Sequence, residues 1–172
     1  VNIFFLDSSP RIAAAYHCDK HVNKMITESL QMMSVALHHF GILTPLKKDG
    51  NHYSHRSHIN HPCTKWVRES VDNFLWTYDL TQYLCEEFQK RNQKRHAGAN
   101  SLETIDYYKV LEVMPSKGLT TPALAMPQDF KNPYDPVLSY RTFYNHDKWE
   151  FAKWNYTETP HWWAPACLMD KS

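Results

Sequence analysis

The chain has 172 residues, 14% of them aromatic, with four Gly and a formal net charge of +1 when its eleven His are neutral. That length suits one domain whose core buries roughly 70% of the unfolded chain's surface, so stability requires neither a disulfide framework nor a structural metal. The scarcity of Gly argues against phosphate-cradling loops and doubly wound folds, and the weak charge argues against a protein that merely coats nucleic acid.

Residues 1–7, VNIFFLD, read as a short, apolar, extended segment. Ser9 is suited to cap a helix and Pro10 to open it, and nothing up to Gly41 carries a breaker, so one long helix is expected. Its buried stripe is Val22, Met25, Ile26, Leu30, Met33 and Leu37, spaced at helical intervals. Residues 41–61 form a loop, and Pro62 opens a second long helix with Val67, Val71, Phe74, Tyr78, Cys85 and Phe88 on one face, running towards KRNQKRH. Residues 101–113 read as a third, shorter helix, residues 114–135 as an irregular Pro-broken stretch, and residues 136–154 as a further helical patch before the tail TETPHWWAPACLMDKS. The expected fold is all-α: a single compact domain, 1–172, of three or four main helices with long loops and an aromatic tail. Within it, 1–113 is the motif-bearing helical core and 114–172 the loop-rich, aromatic C-terminal part.

Cys18, Cys63, Cys85 and Cys167 lack any paired spacing, which reads as free thiols in a reducing compartment. No apolar run approaches the roughly 18 residues of a membrane span and VNIFFL lacks a signal-peptide layout, so a cytoplasmic location is expected. Met ahead of Val is commonly removed, which would leave Val1 with the mature α-amine; a start displaced by cloning is the alternative.

His52, His55, His58 and His61 recur at every third position of NHYSHRSHINHP. On a helix each step of three turns about 300°, which spreads the four over half the circumference, and in a strand they alternate faces. Neither geometry gathers them round an ion. The plainer reading is a polar loop that binds water and phosphate.

His17, His21, Lys24, Glu28 and Gln31 lie within about 40° of one line on the first helix, away from the apolar stripe. Two readings stay open: a solvated helix face, or a base, a cation and a carboxylate held at turn intervals for acid–base chemistry. His17 and His21 also have zinc-compatible spacing, but HExxH is absent and Cys18 points about 100° away from His17.

Two segments together resemble a known family. Asp19-Lys20-His21-Val22-Asn23-Lys24-Met25-Ile26-Thr27-Glu28 looks like its helix with D-x-[HR]-[LV] followed, after five residues, by an essential Glu. Asn60-His61-Pro62-Cys63-Thr64-Lys65-Trp66 looks like the N-H-P-x-x-x-W that opens the next helix in bacterial relatives. The chain thus resembles the pyrimidine-dimer DNA glycosylase/AP lyases of the phage endonuclease V type, over about residues 10–85.

The resemblance implies a compact all-α domain and a mechanism. The N-terminal α-amine, here Val1, attacks C1′ of a damaged pyrimidine nucleotide, displaces the base and forms a Schiff base, after which β-elimination cuts the strand. An α-amine ordinarily titrates at about 7.7–8.0, so part of it is neutral near pH 7. Glu28 matches the glutamate that moves protons at the sugar. His17, Asp19, His21, Lys24, Asn60, His61, Lys65 and Arg68 are then the substrate-binding candidates. Lys90, Arg91, Lys94 and Arg95 are further phosphate contacts or plain surface charge, and Trp149, Trp154, Trp162 and Trp163 are stacking surface or core plugs. The implied partner is double-stranded DNA with damaged or modified pyrimidines, bound by a monomer with no cofactor, no metal and no membrane. The segment ahead of the first motif is longer than in the phage enzyme, and Val1 stands where a small polar residue is expected. Two other classes stay open: a metal-dependent hydrolase or nucleotide-processing enzyme using His17, His21, His61 and Glu28, and a non-catalytic nucleic-acid- or protein-binding module.

Overall fold

The computed structural model describes residues 1–166. The described residues hold seven α-helices and no strand: α1 (Pro10–Tyr16), α2 (Asp19–His39), α3 (Pro62–Glu69), α4 (Val71–Asn92), α5 (Ala97–Glu103), α6 (Tyr107–Val113) and α7 (Pro136–Asp147). The all-α expectation holds. The helix count rises because each long helix is broken once and the third is split in two.

The first break falls at His17 and Cys18, where the backbone turns extended with no Pro or Gly to signal it. Arg91 of α4 explains it. Its guanidinium donates to the carbonyls of Ala15 at 2.9 Å and His17 at 2.7 Å, taking up acceptors that a continuous helix would have used internally. The Trp154 indole likewise donates to the Tyr16 carbonyl at 3.0 Å. The second break is at Ser70, extended at φ −150°, whose hydroxyl caps α4 by accepting from the Asn73 N–H. Residues 101–113 split because Asp106 caps α6 separately. The last patch ends at Asp147 instead of running to 154.

The predicted starts at Ser9–Pro10 and at Pro62 are observed, the second with His61 as its cap. Val22, Met25, Ile26, Leu30, Met33 and Leu37 are all buried, as the stripe requires. That stripe packs α2 against α4 and α3, while α1 packs on α4 and α5 bridges α2 and α4. Gly98 makes the α5 contact possible, since a Cβ there would overlap Ile26 Cγ2.

The N-terminal segment is an internal strap. Ile3, Phe4, Phe5 and Leu6 are buried, each contributing about 1.5–3 kcal/mol of apolar burial. Phe4 stacks on His21 and Phe5 on Trp76. Arg141 of α7 clamps the strap's end, donating to the Leu6 carbonyl at 2.8 Å and to Asp7 at 3.1 Å. The C-terminal third contributes Tyr140, Phe143, Tyr144 and Trp154 to the same core. Cys18, Cys63 and Cys85 are buried free thiols; Cys167 lies outside the described residues. No helix among the described residues is long and apolar enough to cross a membrane.

Candidate active site

The strap delivers the amino group of Val1 to the polar edge of α2. Its nitrogen lies 3.5 Å from Glu28 Oε2, and Lys24, one turn earlier, places Nζ 3.6 Å from Glu28 Oε1. The carboxylate therefore has a cation on each oxygen and is still partly open, with 15% of its side chain exposed. Neither contact is short enough to be a saturated hydrogen-bonded pair, which leaves both partners available to a third group.

Asn2 fixes the amine's position. Its Nδ2 donates to the Ala125 carbonyl at 2.9 Å, and its Oδ1 accepts from its neighbour's N–H at Ile3. The Cys63 thiol and the Tyr140 hydroxyl also face that oxygen, at 3.5 and 3.2 Å. Tyr140 in turn bonds the Ala123 carbonyl and accepts from the Ala125 N–H. Burial pushes the Cys63 thiol up to about 11, so it sits here as a neutral donor. Sequence reasoning missed Asn2 and Tyr140, because Tyr140 lies 138 residues away and no short motif joins them.

His61 flanks the pair from the start of α3, where its Nδ1 accepts from the Cys63 N–H at 3.1 Å. Its pKa is lowered by partial burial, then by the α-amine and His58, with Glu28 opposing, so all four groups share one neighbourhood. Lys65 is exposed on the first turn of α3. Asn60 and Arg68 line a cleft of about 150 Å³ beside it with His38, His39, His55 and Ile59.

Two candidates are drawn into the interior instead, and a third is occupied by structural partners. His17 is wholly buried, its Nδ1 donating to the Ala13 carbonyl at 2.6 Å, and burial lowers it to about 4. His21 is buried between Phe4, Phe151 and Tyr144, bonding the Tyr144 hydroxyl at 2.6 Å, and burial lowers it to about 2. The expected polar line is thus wrong at its first two members. His17 lies outside α2, and the strap and α7 cover His21. Asp19 is also occupied: Oδ1 meets Arg91 at 3.3 Å and Oδ2 accepts from the Asn155 N–H at 2.8 Å.

The other candidates sort similarly. Arg91 is buried and Arg95 pairs with Glu103, so the 90–95 run is no row of free cations. Trp154 is a core plug, Trp162 and Trp163 pack against the core, and Trp149 is exposed. The four loop histidines have four separate situations. His52 bonds Thr44, His55 stacks on His38 at 3.8 Å, His58 is exposed at positive φ, and His61 caps α3. Among the described residues no three His, Cys, Asp or Glu side chains converge in a way that could hold a metal ion.

The sequence model of the pyrimidine dimer DNA glycosylases matches residues 1–101. The chain belongs to that family. The matched span contains the strap, α2 with Glu28, the histidine loop, α3 and α4, and it ends within α5. No curated protein and no solved structure matches the chain. As a member of the pyrimidine dimer glycosylase family, the chain has damaged-pyrimidine DNA as its substrate class, and the amine–carboxylate pair lies inside the family-defining part.

Proposed function

We propose that this glycosylase also acts as an AP lyase, with Val1 as nucleophile and Glu28 as acid–base residue. The observation that supports it is the 3.5 Å approach of the Val1 nitrogen to Glu28 Oε2. The neutral amine donates its lone pair to C1′ as the glycosidic bond breaks, and the base leaves with the bonding pair and takes up a proton. The nitrogen gives up one proton and the sugar ring opens, with O4′ keeping the C1′–O4′ pair and taking up a proton, to give the Schiff base. Removal of a C2′ proton then expels the 3′ phosphate by β-elimination. Glu28 is the nearest carboxylate to accept those protons and to balance the cationic intermediate. Lys24 holds the other oxygen and faces solvent, where a phosphate would lie. His61, Asn60, Lys65 and Arg68 form the flanking contact surface, and residues 1–172 act as one unit.

The test is borohydride trapping with an abasic-site duplex and an ultraviolet-irradiated duplex, using protein whose free Val1 terminus has been confirmed by mass. A covalent adduct with both, abolished when that amine is blocked, is the expected result. An adduct that survives blocking would move the nucleophile to a lysine, and no adduct at all would overturn the lyase reading.

A further inference from the structure

C1′ is shielded in an intact duplex, so an amine fixed on a protein surface reaches it only after the nucleotide has been opened. The amine–Glu28 pair contains no group shaped for that task. The adjoining loop does. Between Ser54 and His61 the sequence is SHRSHINH, and Ile59 is its one apolar side chain, 46% exposed.

A tight turn carries Ile59. His58 adopts φ 53°, a left-handed conformation uncommon for a residue with a Cβ, and the His61 N–H closes the turn on the His58 carbonyl at 3.0 Å. Arg68 of α3 donates to the Ile59 carbonyl at 2.6 Å and so fixes the tip from behind. The stack of His55 on His38 of α2 anchors the loop's near side. A β-branched side chain is stiff at χ1, which makes Ile59 a rigid peg on an anchored turn. The turn leads straight into His61, which accepts from the Cys63 N–H at 3.1 Å, and the Cys63 thiol faces Asn2 Oδ1, next to the α-amine, at 3.5 Å. The peg therefore stands at the margin of the candidate site, with Arg56 and Asn60 exposed beside it.

We propose that Ile59 is a wedge that enters the base stack at the lesion and holds the duplex open for Val1. Apolar side chains inserted between base steps unstack them, and the larger protein surface that the opened DNA then covers offsets the unstacking energy. This rests on the glycosylase/lyase reading for its purpose, but it is a separate physical act and can be read separately.

The experiment compares wild type, Ile59→Ala and Ile59→Leu on an abasic-site duplex, on the same abasic strand unpaired, and on a duplex carrying 2-aminopurine beside the site. The exposed side chain leaves the fold intact on truncation, which a thermal melt verifies. Ile59→Ala is expected to slow trapping on the duplex by about tenfold, equivalent to about 1.4 kcal/mol of lost opening. It should leave the unpaired strand unaffected and lose the 2-aminopurine fluorescence rise, and Ile59→Leu should restore both duplex signals. Equal losses on paired and unpaired DNA, or an unchanged fluorescence rise in Ile59→Ala, would overturn the wedge. Wild type that gives no adduct but an Ile59-dependent fluorescence rise would sink the lyase reading and leave the wedge standing.

Discussion

Two carboxylates nine residues apart on α2 meet cations in opposite ways. Asp19 and Glu87 hold Arg91 at 3.3 and 3.0 Å, and two backbone carbonyls complete a guanidinium that is 1% exposed. Glu28 holds Val1 and Lys24 at the longer distances of 3.5 and 3.6 Å, with lone pairs to spare. The first centre is closed: every strong donor has its acceptor, and its work is to join α1, α2 and α4. The second is unsaturated, as an acid–base site must be if a substrate is to enter it. In one helix, saturation separates an ion pair that builds the fold from the one proposed for chemistry.

This contrast can be broken from either side. The largest effect is expected at the open centre. Glu28→Gln keeps shape and removes the base, so trapping and strand cleavage should fall by about 10²–10⁴-fold, while urea unfolding shifts little. Equal activity in Glu28→Gln would return the pair to simple surface electrostatics. At the closed centre the pattern reverses. Arg91→Met strands two buried carbonyls and the Asp19 carboxylate, and denaturant titration should register a loss of about 3–5 kcal/mol. An Arg91→Met chain of undiminished stability would mean that the break before α2 needs no guanidinium.

A smaller effect sharpens the contrast through pH. His17 and His21 stay neutral in the folded chain, with pKa values lowered to about 4 and about 2 from 6.5. Below pH 6.5 the unfolded chain therefore binds more protons than the folded one. The stabilisation from their burial is complete above that pH and is lost as pH falls, towards 4 for His17 and towards 2 for His21. The slope is about 1.4 kcal/mol per pH unit for each histidine. Urea midpoints at pH 7.5, 6 and 5 measure it, and His21→Asn should flatten the acid limb. An identical limb in that variant would show that His21 does not couple to folding.

The apolar stripe of α2, the Ser9–Pro10 start and the His61–Pro62 start are visible in sequence because each depends on residues within a turn or two. The place of Glu28 on the polar edge of α2 is readable for the same reason, since it follows from spacing on one helix. The break at His17 was not, since its cause is an arginine 74 residues away. Nor was the burial of His21, which depends on Tyr144 from α7 and on a strap that folds over the helix. The tethering of Val1 through Asn2 and Tyr140 belongs to the same non-local class.

Asn2 leaves the Val1 nitrogen one residue of slack. A chain with a single extra residue ahead of Val1 would carry a peptide nitrogen at that spot, its lone pair delocalised into the carbonyl. Its free amine would be displaced by about 3.8 Å. Under the proposed lyase reading, the tether that aims the Val1 amine also makes the chemistry sensitive to chain length: an added residue displaces the free amine, and loss of Val1 leaves the Asn2 anchor in place but takes away the nitrogen it positions.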